Sequence, residues 1–246
     1  MAAPVLAALA ALPVAGQAQD ADLELVLLAD VSGSIDAGEV AFQREGYARA
    51  LTDPEVLAAI ADTSLGSIVV TYVEWAADQT VIAPWTRIAG APDAAAFAEI
   101  LQETPRSAFG RNAIGDALLA AKDLIETNGI DGLRRVIDFS GDSANSYEGA
   151  SIAEARAAVL DAGITINGLP VVCLSCNGPP GRGDLVAQYE RLIIGGPGAF
   201  VVAADDRTRF AEAVKRKLIL EISGLTPETV FAARRGAGWE EAGKGL

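Results

Sequence analysis

Short aliphatic runs alternate with helix-patterned stretches along most of this chain, and no other feature restricts its fold as much. The runs are Leu23–Ala29, Ser67–Trp75, Gln79–Ile88, Leu133–Ser140 and Ile164–Val172, with a shorter one at Ala199–Ala203. They are rich in β-branched and aliphatic residues, as strands are. Helical patterns fill the gaps. One runs on from Asp36 through Val40, Phe42, Tyr47 and Leu51; others cover Val56–Ile60, Pro92–Leu101, Arg111–Glu126, Ser151–Ala162, Leu185–Leu192 and Arg207–Ile222. Alternation of this kind implies parallel crossovers. The expected fold is α/β, a doubly wound and mostly parallel sheet with helices on both faces. Its ligand site belongs at the carboxyl ends of the strands. Gln79–Ile88 follows the second strand after a short gap containing Asp78, so a hairpin is expected there.

The 246 residues suit one large domain, and no repeat or linker interrupts the pattern. Hydrophobic residues make up 51% of the chain and aromatics only 6%, so small-residue helices must pack on a Val/Ile-rich sheet. The first 18 residues, MAAPVLAALAALPVAGQA, read as an export signal without its basic n-region. Pro4, Pro13 and the shortness of the run argue against a transmembrane helix. The expected division is a signal over 1–18, one domain over 19–223 and a loosely attached tail over 224–246. Export places the protein in the periplasm or outside the cell. There Cys173 and Cys176, in CLSC, are expected to form a local disulfide.

Net charge is −14, which opposes binding to nucleic acid or anionic lipid. The most basic run, Lys215-Arg216-Lys217, sits in a helical pattern with Glu212 and Glu221 and is read as a solvated face. The chain has no histidine, which removes Ser-His-Asp and Cys-His catalysis and His-ligated zinc. Any chemistry here uses oxygen ligands, carboxylates or hydroxyls.

Three loops carry such oxygens to one sheet edge. The first strand runs into ADVSGSID, with Asp30, Ser32 and Ser34 at alternate positions. FGRNAIGD precedes a helix and sets Asn112 near its start. SGDS ends the fourth strand and sets Asp142 at the same rim. Taken singly, each has a plainer role: Ser34 or Asp36 capping the first helix, Asn112 the later one, Ser140 and Asp142 forming a turn. Taken together, five hard oxygen donors suit Mg²⁺, with Mn²⁺ and Ca²⁺ as alternatives.

DVSGS resembles the Asp-x-Ser-x-Ser motif of von Willebrand factor A domains, the seat of their metal-ion-dependent adhesion site. RNAIGDAL and VIDFSGDS resemble the second and third motifs of that family, and the likeness runs from about Leu23 to Ile222. GDSANS and IIGGPGAF are similar to secreted bacterial members of unknown function. The resemblance implies that Ser32 and Ser34 bind a metal directly and that Asp30 and Asp142 act mostly through waters. Asn112 stands where the family has Thr. Gly141 precedes Asp142, where the usual order is Asp then Gly. Asp138, mid-strand, is the rival carboxylate; Asp142 is preferred because it lies beyond the strand end.

The resemblance implies a binding module rather than an enzyme. Its divalent cation is completed by an Asp or Glu of a protein partner, and Trp75, Trp85 and the Cys173–Gly183 loop set specificity. One alternative is a Mg²⁺-dependent hydrolase with Asp30 as nucleophile, although Ser32 stands where a second Asp would serve as acid or base. Another is a scaffold whose metal site has decayed at Asn112.

Overall fold

Leu23–Asp30 forms strand β1, and all eight residues are buried. The reason lies in what covers each face. Leu23, Leu25, Leu27 and Ala29 pack with Tyr47, Leu51, Phe97 and Leu218 in one core layer. Val26 and Leu28 pack with Ile114, Leu118, Val159 and Tyr189 in the other. A strand covered on both sides needs apolar residues at nearly every position, which explains the run Leu25–Ala29; buried Glu24 is met by Asn128 Nδ2 and the Gly132 amide. A computed structural model of the chain describes residues 20–171, 184–204 and 209–229. The export-signal residues 1–18, both cysteines and most of the proposed tail lie outside them.

Four further strands complete the sheet: β2 (Ile68–Trp75), β3 (Gln79–Ile88), β4 (Arg135–Gly141) and β5 (Thr165–Pro170). Their order is β3-β2-β1-β4-β5. The β1–β2, β1–β4 and β4–β5 pairs are parallel, while β3 is an antiparallel edge strand on β2. The expected hairpin is therefore present. The β2–β3 register shifts on either side of Tyr72, where Pro84 and Trp85 interrupt the ladder.

Helices α1 (Ala37–Leu51), α2 (Pro54–Ala61), α3 (Ala91–Glu103) and α7 (Phe210–Ser223) cover the first face. Helices α4 (Ile114–Thr127), α5 (Ile152–Asp161) and α6 (Leu185–Leu192) cover the second. Asp36 caps α1 in a reciprocal box with Glu39, as the Asp-x-x-Glu spacing predicts.

Four expectations need correction. Helix α4 starts at Ile114, three residues later than the pattern suggested, because loop residues Phe109–Ala113 are tied to the β2–β3 turn. Strand β4 starts at Arg135, since Leu133 lies exposed outside the sheet. Ala199–Ala203 makes only an isolated bridge to β5 at Val201, because a Gly-Gly-Pro-Gly run holds its approach irregular. Lastly, Lys217 and Glu221 do not face solvent; both are fully buried against the sheet.

Candidate metal centre

Asp30 ends β1 just where the sheet stops and the loops begin. Its carboxylate is buried, at 1% exposure. The Ser32 amide donates to Asp30 Oδ1 at 2.8 Å, so the chain folds back over the side chain at once. The hydroxyls of Ser32 and Ser34 come to 3.4 Å of one another. Ser32 is buried and Ser34 exposed, so the pair leads from the interior to the surface. Asp142 follows β4 and is 8% exposed. Its amide points at Asp30 Oδ2 from 3.4 Å, so one carboxylate lies against both the first and third loops.

The second loop is tied to the first. The Gly33 amide donates to Gly110 O at 2.9 Å, and Ala77 N and Ala113 N exchange bonds with Phe109 O and Ala76 O. Gly110 has φ +110, and a Cβ there would lie 2.4 Å from that of Ala77, so only glycine fits this crossing. Asn112 is buried and adjacent. Its carbonyl accepts from Tyr147 N at 2.8 Å and Glu148 N at 3.3 Å. The structure thus brings the loops of Asp30, Ser32, Ser34, Asn112 and Asp142 together at one end of the sheet.

The plainer roles do not account for two of these residues. Asp36, not Ser34, caps α1. The cap position of α4 is Ala113, and the Ile114 amide is met by Ser146 Oγ at 3.1 Å, so Asn112 caps nothing. Asp138 is not at the rim. It points to the α7 face, where Lys217 Nζ lies 2.8 Å away.

Sequence reasoning missed the supports. Gln43 Nε2 donates to Asp30 O at 3.0 Å. The Arg106 guanidinium donates to Val31 O and Ile35 O and so clamps the first loop from above. Trp75, expected among the surface determinants, is instead the floor, fully buried and stacked on Phe139 at 5.0 Å. Its Nε1 donates to Ser140 O at 3.2 Å, and Tyr189 OH donates to Gly141 O at 2.8 Å. A Cβ on Gly141 would stand 3.0 Å from Asp30 Oδ2 and from Trp75, and 3.1 Å from Tyr189 OH. This explains the inverted Gly-Asp order: the residue that touches Asp30 must lack a side chain. No local sequence signal marks these contacts, which depend on tertiary pairing.

Burial drives the Asp30 carboxyl up to about 7, and the neighbouring charge of Asp142 adds to the rise; the amides of Ser32 and Asp142 partly oppose it. The group therefore holds more protons folded than unfolded between its usual value and about 7. That part of the stability is complete at low pH and is lost as pH rises through about 7. In EDTA, the melting temperature should fall from pH 5 to pH 8, and Asp30→Asn should reduce the slope. An unchanged slope in that variant would remove Asp30 as its source.

Two buried carboxylates with serine hydroxyls beside them are hard oxygen groups of the kind a divalent cation takes. Among the described residues, no group of three or more His, Cys, Asp and Glu is placed to hold a metal. Asp30 and Asp142 bring only two carboxylates to this rim, and the neighbouring oxygens are the hydroxyls of Ser32 and Ser34.

The family described as "Protein of unknown function (DUF1194)" matches residues 20–226. The chain belongs to the DUF1194 family. No curated protein matches the sequence. The fold of this DUF1194 protein is that of a von Willebrand factor A domain, as solved structures show. Proximal thread matrix protein 1 from the mussel byssus, with zinc in its MIDAS motif, superposes with a TM-score of 0.61 at 15% identity, over 83% of this chain and 49% of that one. The type A domain protein of Catenulispora acidiphila gives 0.56 at 17%, over 82% and 43%. The vWF domain of the type V pili tip protein Mfa5 from Porphyromonas gingivalis gives 0.57 at 9%, over 85% and 98%. The DUF1194 chain spans less than half of the mussel and Catenulispora chains.

Proposed function

We propose that this DUF1194 protein is a metal-dependent protein-binding module of the adhesion type, acting in the periplasm or outside the cell. The observation that carries the reading is the Asp30 carboxylate, buried against Asp142 beneath the paired hydroxyls of Ser32 and Ser34. Ser32 and Ser34 would hold a Mg²⁺ ion directly, Asp30 and Asp142 through waters, and Asn112 through its amide oxygen; Mn²⁺ and Ca²⁺ are the alternatives. Such an ion supplies an electrophilic position for an anionic oxygen, here the Asp or Glu of a protein partner. The zinc-occupied motif of the mussel protein supports a divalent cation in this fold.

The rim suits a protein ligand. Phe109, three residues before Asn112, and Tyr147, whose amide donates to Asn112 O, are exposed at 55% and 56%. Arg106 lies 4.9 Å over the first ring and Arg111 lies 4.6 Å over the second. Aromatic surface with cationic heads is a common form of binding patch, and it favours an acidic partner segment. No helix among the described residues is long and apolar enough to cross a membrane.

Thermal denaturation in EDTA and with millimolar Mg²⁺, Mn²⁺ or Ca²⁺ tests the reading. At 100 times its dissociation constant, the ion should stabilise the wild type by about 2.7 kcal/mol, and Ser32→Ala should lose the response. No shift with any of the three ions would sink the proposal. Metal-dependent turnover that disappears in Asp30→Asn would replace the module with an enzyme.

A further inference from the structure

On the α1/α7 face of the sheet, away from the metal centre, three ionisable side chains meet with no exposed surface of their own. Lys217 Nζ of α7 lies 2.8 Å from Asp138 Oδ1 of β4 and also contacts Glu221 Oε1 one helical turn on; all three side chains have 0% exposure. Beyond that ammonium, Asp138 Oδ1 has no hydrogen-bond partner among the described residues. Glu221 Oε1 also accepts from Asn167 Nδ2 of β5 at 3.0 Å. The Phe200 ring lies 5.9 Å from the ammonium. One cation thus faces two carboxyls, and Asp138 Oδ2 and Glu221 Oε2 are buried with no hydrogen-bond partner among the described residues.

Buried ions cost several kcal/mol each unless geometry and hydrogen bonding are complete, and here the bonding is incomplete. Amine and carboxyl held in contact also have the proximity that turns a bimolecular condensation into an intramolecular one. We propose that Lys217 and Asp138 join after folding in an intramolecular isopeptide bond, with Glu221 as the proton carrier.

The step balances without a co-reactant. The ammonium of Lys217 passes one proton to the Asp138 carboxylate, leaving a neutral amine and a carboxylic acid. The amine lone pair attacks Asp138 Cγ, and the C=O electron pair moves to oxygen. Glu221 gives its proton to the departing hydroxyl and takes one from the nitrogen. The C–O bond breaks, one water leaves, and Glu221 ends as it began. Burial, with the charge of Asp138 adding to it and that of Lys217 opposing, raises the Glu221 carboxyl to about 7, so it carries a proton near neutral pH. A cleft of about 930 Å³ is lined by Glu221, Asn167 and Phe200 and gives the water a way out. The product exchanges two buried charges for one neutral amide.

Peptide mapping of the purified full chain by tandem mass spectrometry tests this. The tryptic peptides holding Asp138 and Lys217 should appear joined, lighter than their sum by one water, about 18 Da. Trypsin should not cut after Lys217. Lys217→Arg and Glu221→Gln should both yield separate peptides. Separate, unmodified peptides from folded wild-type protein would overturn the proposal, and that readout needs no variant to fold. A joint through Asn167, lighter by ammonia, would overturn the assignment to Asp138.

Discussion

Lys217→Ala is expected to lower the unfolding free energy by about 3–5 kcal/mol, read by denaturant titration. The variant leaves Asp138 and Glu221 facing each other at zero exposure with no cation between them. It also removes the tie between α7 and β4. Lys217→Met with Asp138→Asn and Glu221→Gln should recover much of the loss, because the charges then vanish together. A cost of Lys217→Ala below about 1 kcal/mol is what an exposed ion pair gives, and would show that α7 does not seat this side chain inside. Any covalent joint in the wild type adds to the loss.

The second large effect falls on Trp75→Ala, expected to cost about 3–5 kcal/mol and to weaken the ion-dependent thermal shift as well. Trp75 fills the floor between Asp30 and Phe139, and its Nε1 holds Ser140 O, two residues before Asp142. Emptying that volume frees the third loop from the first. Trp75→Phe should restore most of the packing while leaving Ser140 O without its donor. The ion response should then lie between those of the wild type and Trp75→Ala. An undiminished ion response in Trp75→Ala would mean that the loops are held by their own hydrogen bonds alone.

Much of this was readable in the sequence where the code is local. The Asp36–Glu39 capping box, the apolar run Leu25–Ala29 of β1 and the short gap before β3 each carry their instruction within a few residues. The loops of the candidate centre could be placed because strand ends in a doubly wound sheet share an edge. Lys217 and Glu221 defeated the reading for a plain reason. Charges at i and i+4 on a helix look alike whether they face solvent or a buried Asp138 across the sheet. The depth of Trp75 is hidden similarly, since the last residue of a strand is at the edge in sequence yet beneath the loops in space. Gly141 departs from the motif's usual order because Asp30, Trp75 and Tyr189 pack around its Cα.

The antiparallel edge strand has a consequence for how molecules of this protein meet. An open edge offers unpaired amides and carbonyls to any extended segment, and sheets grow through such edges. In β3, exposed Pro84 lacks a donor and interrupts the register. Strand addition at β3 is thereby disfavoured, while at the loop end the rings of Phe109 and Tyr147, with their guanidinium partners, stay exposed.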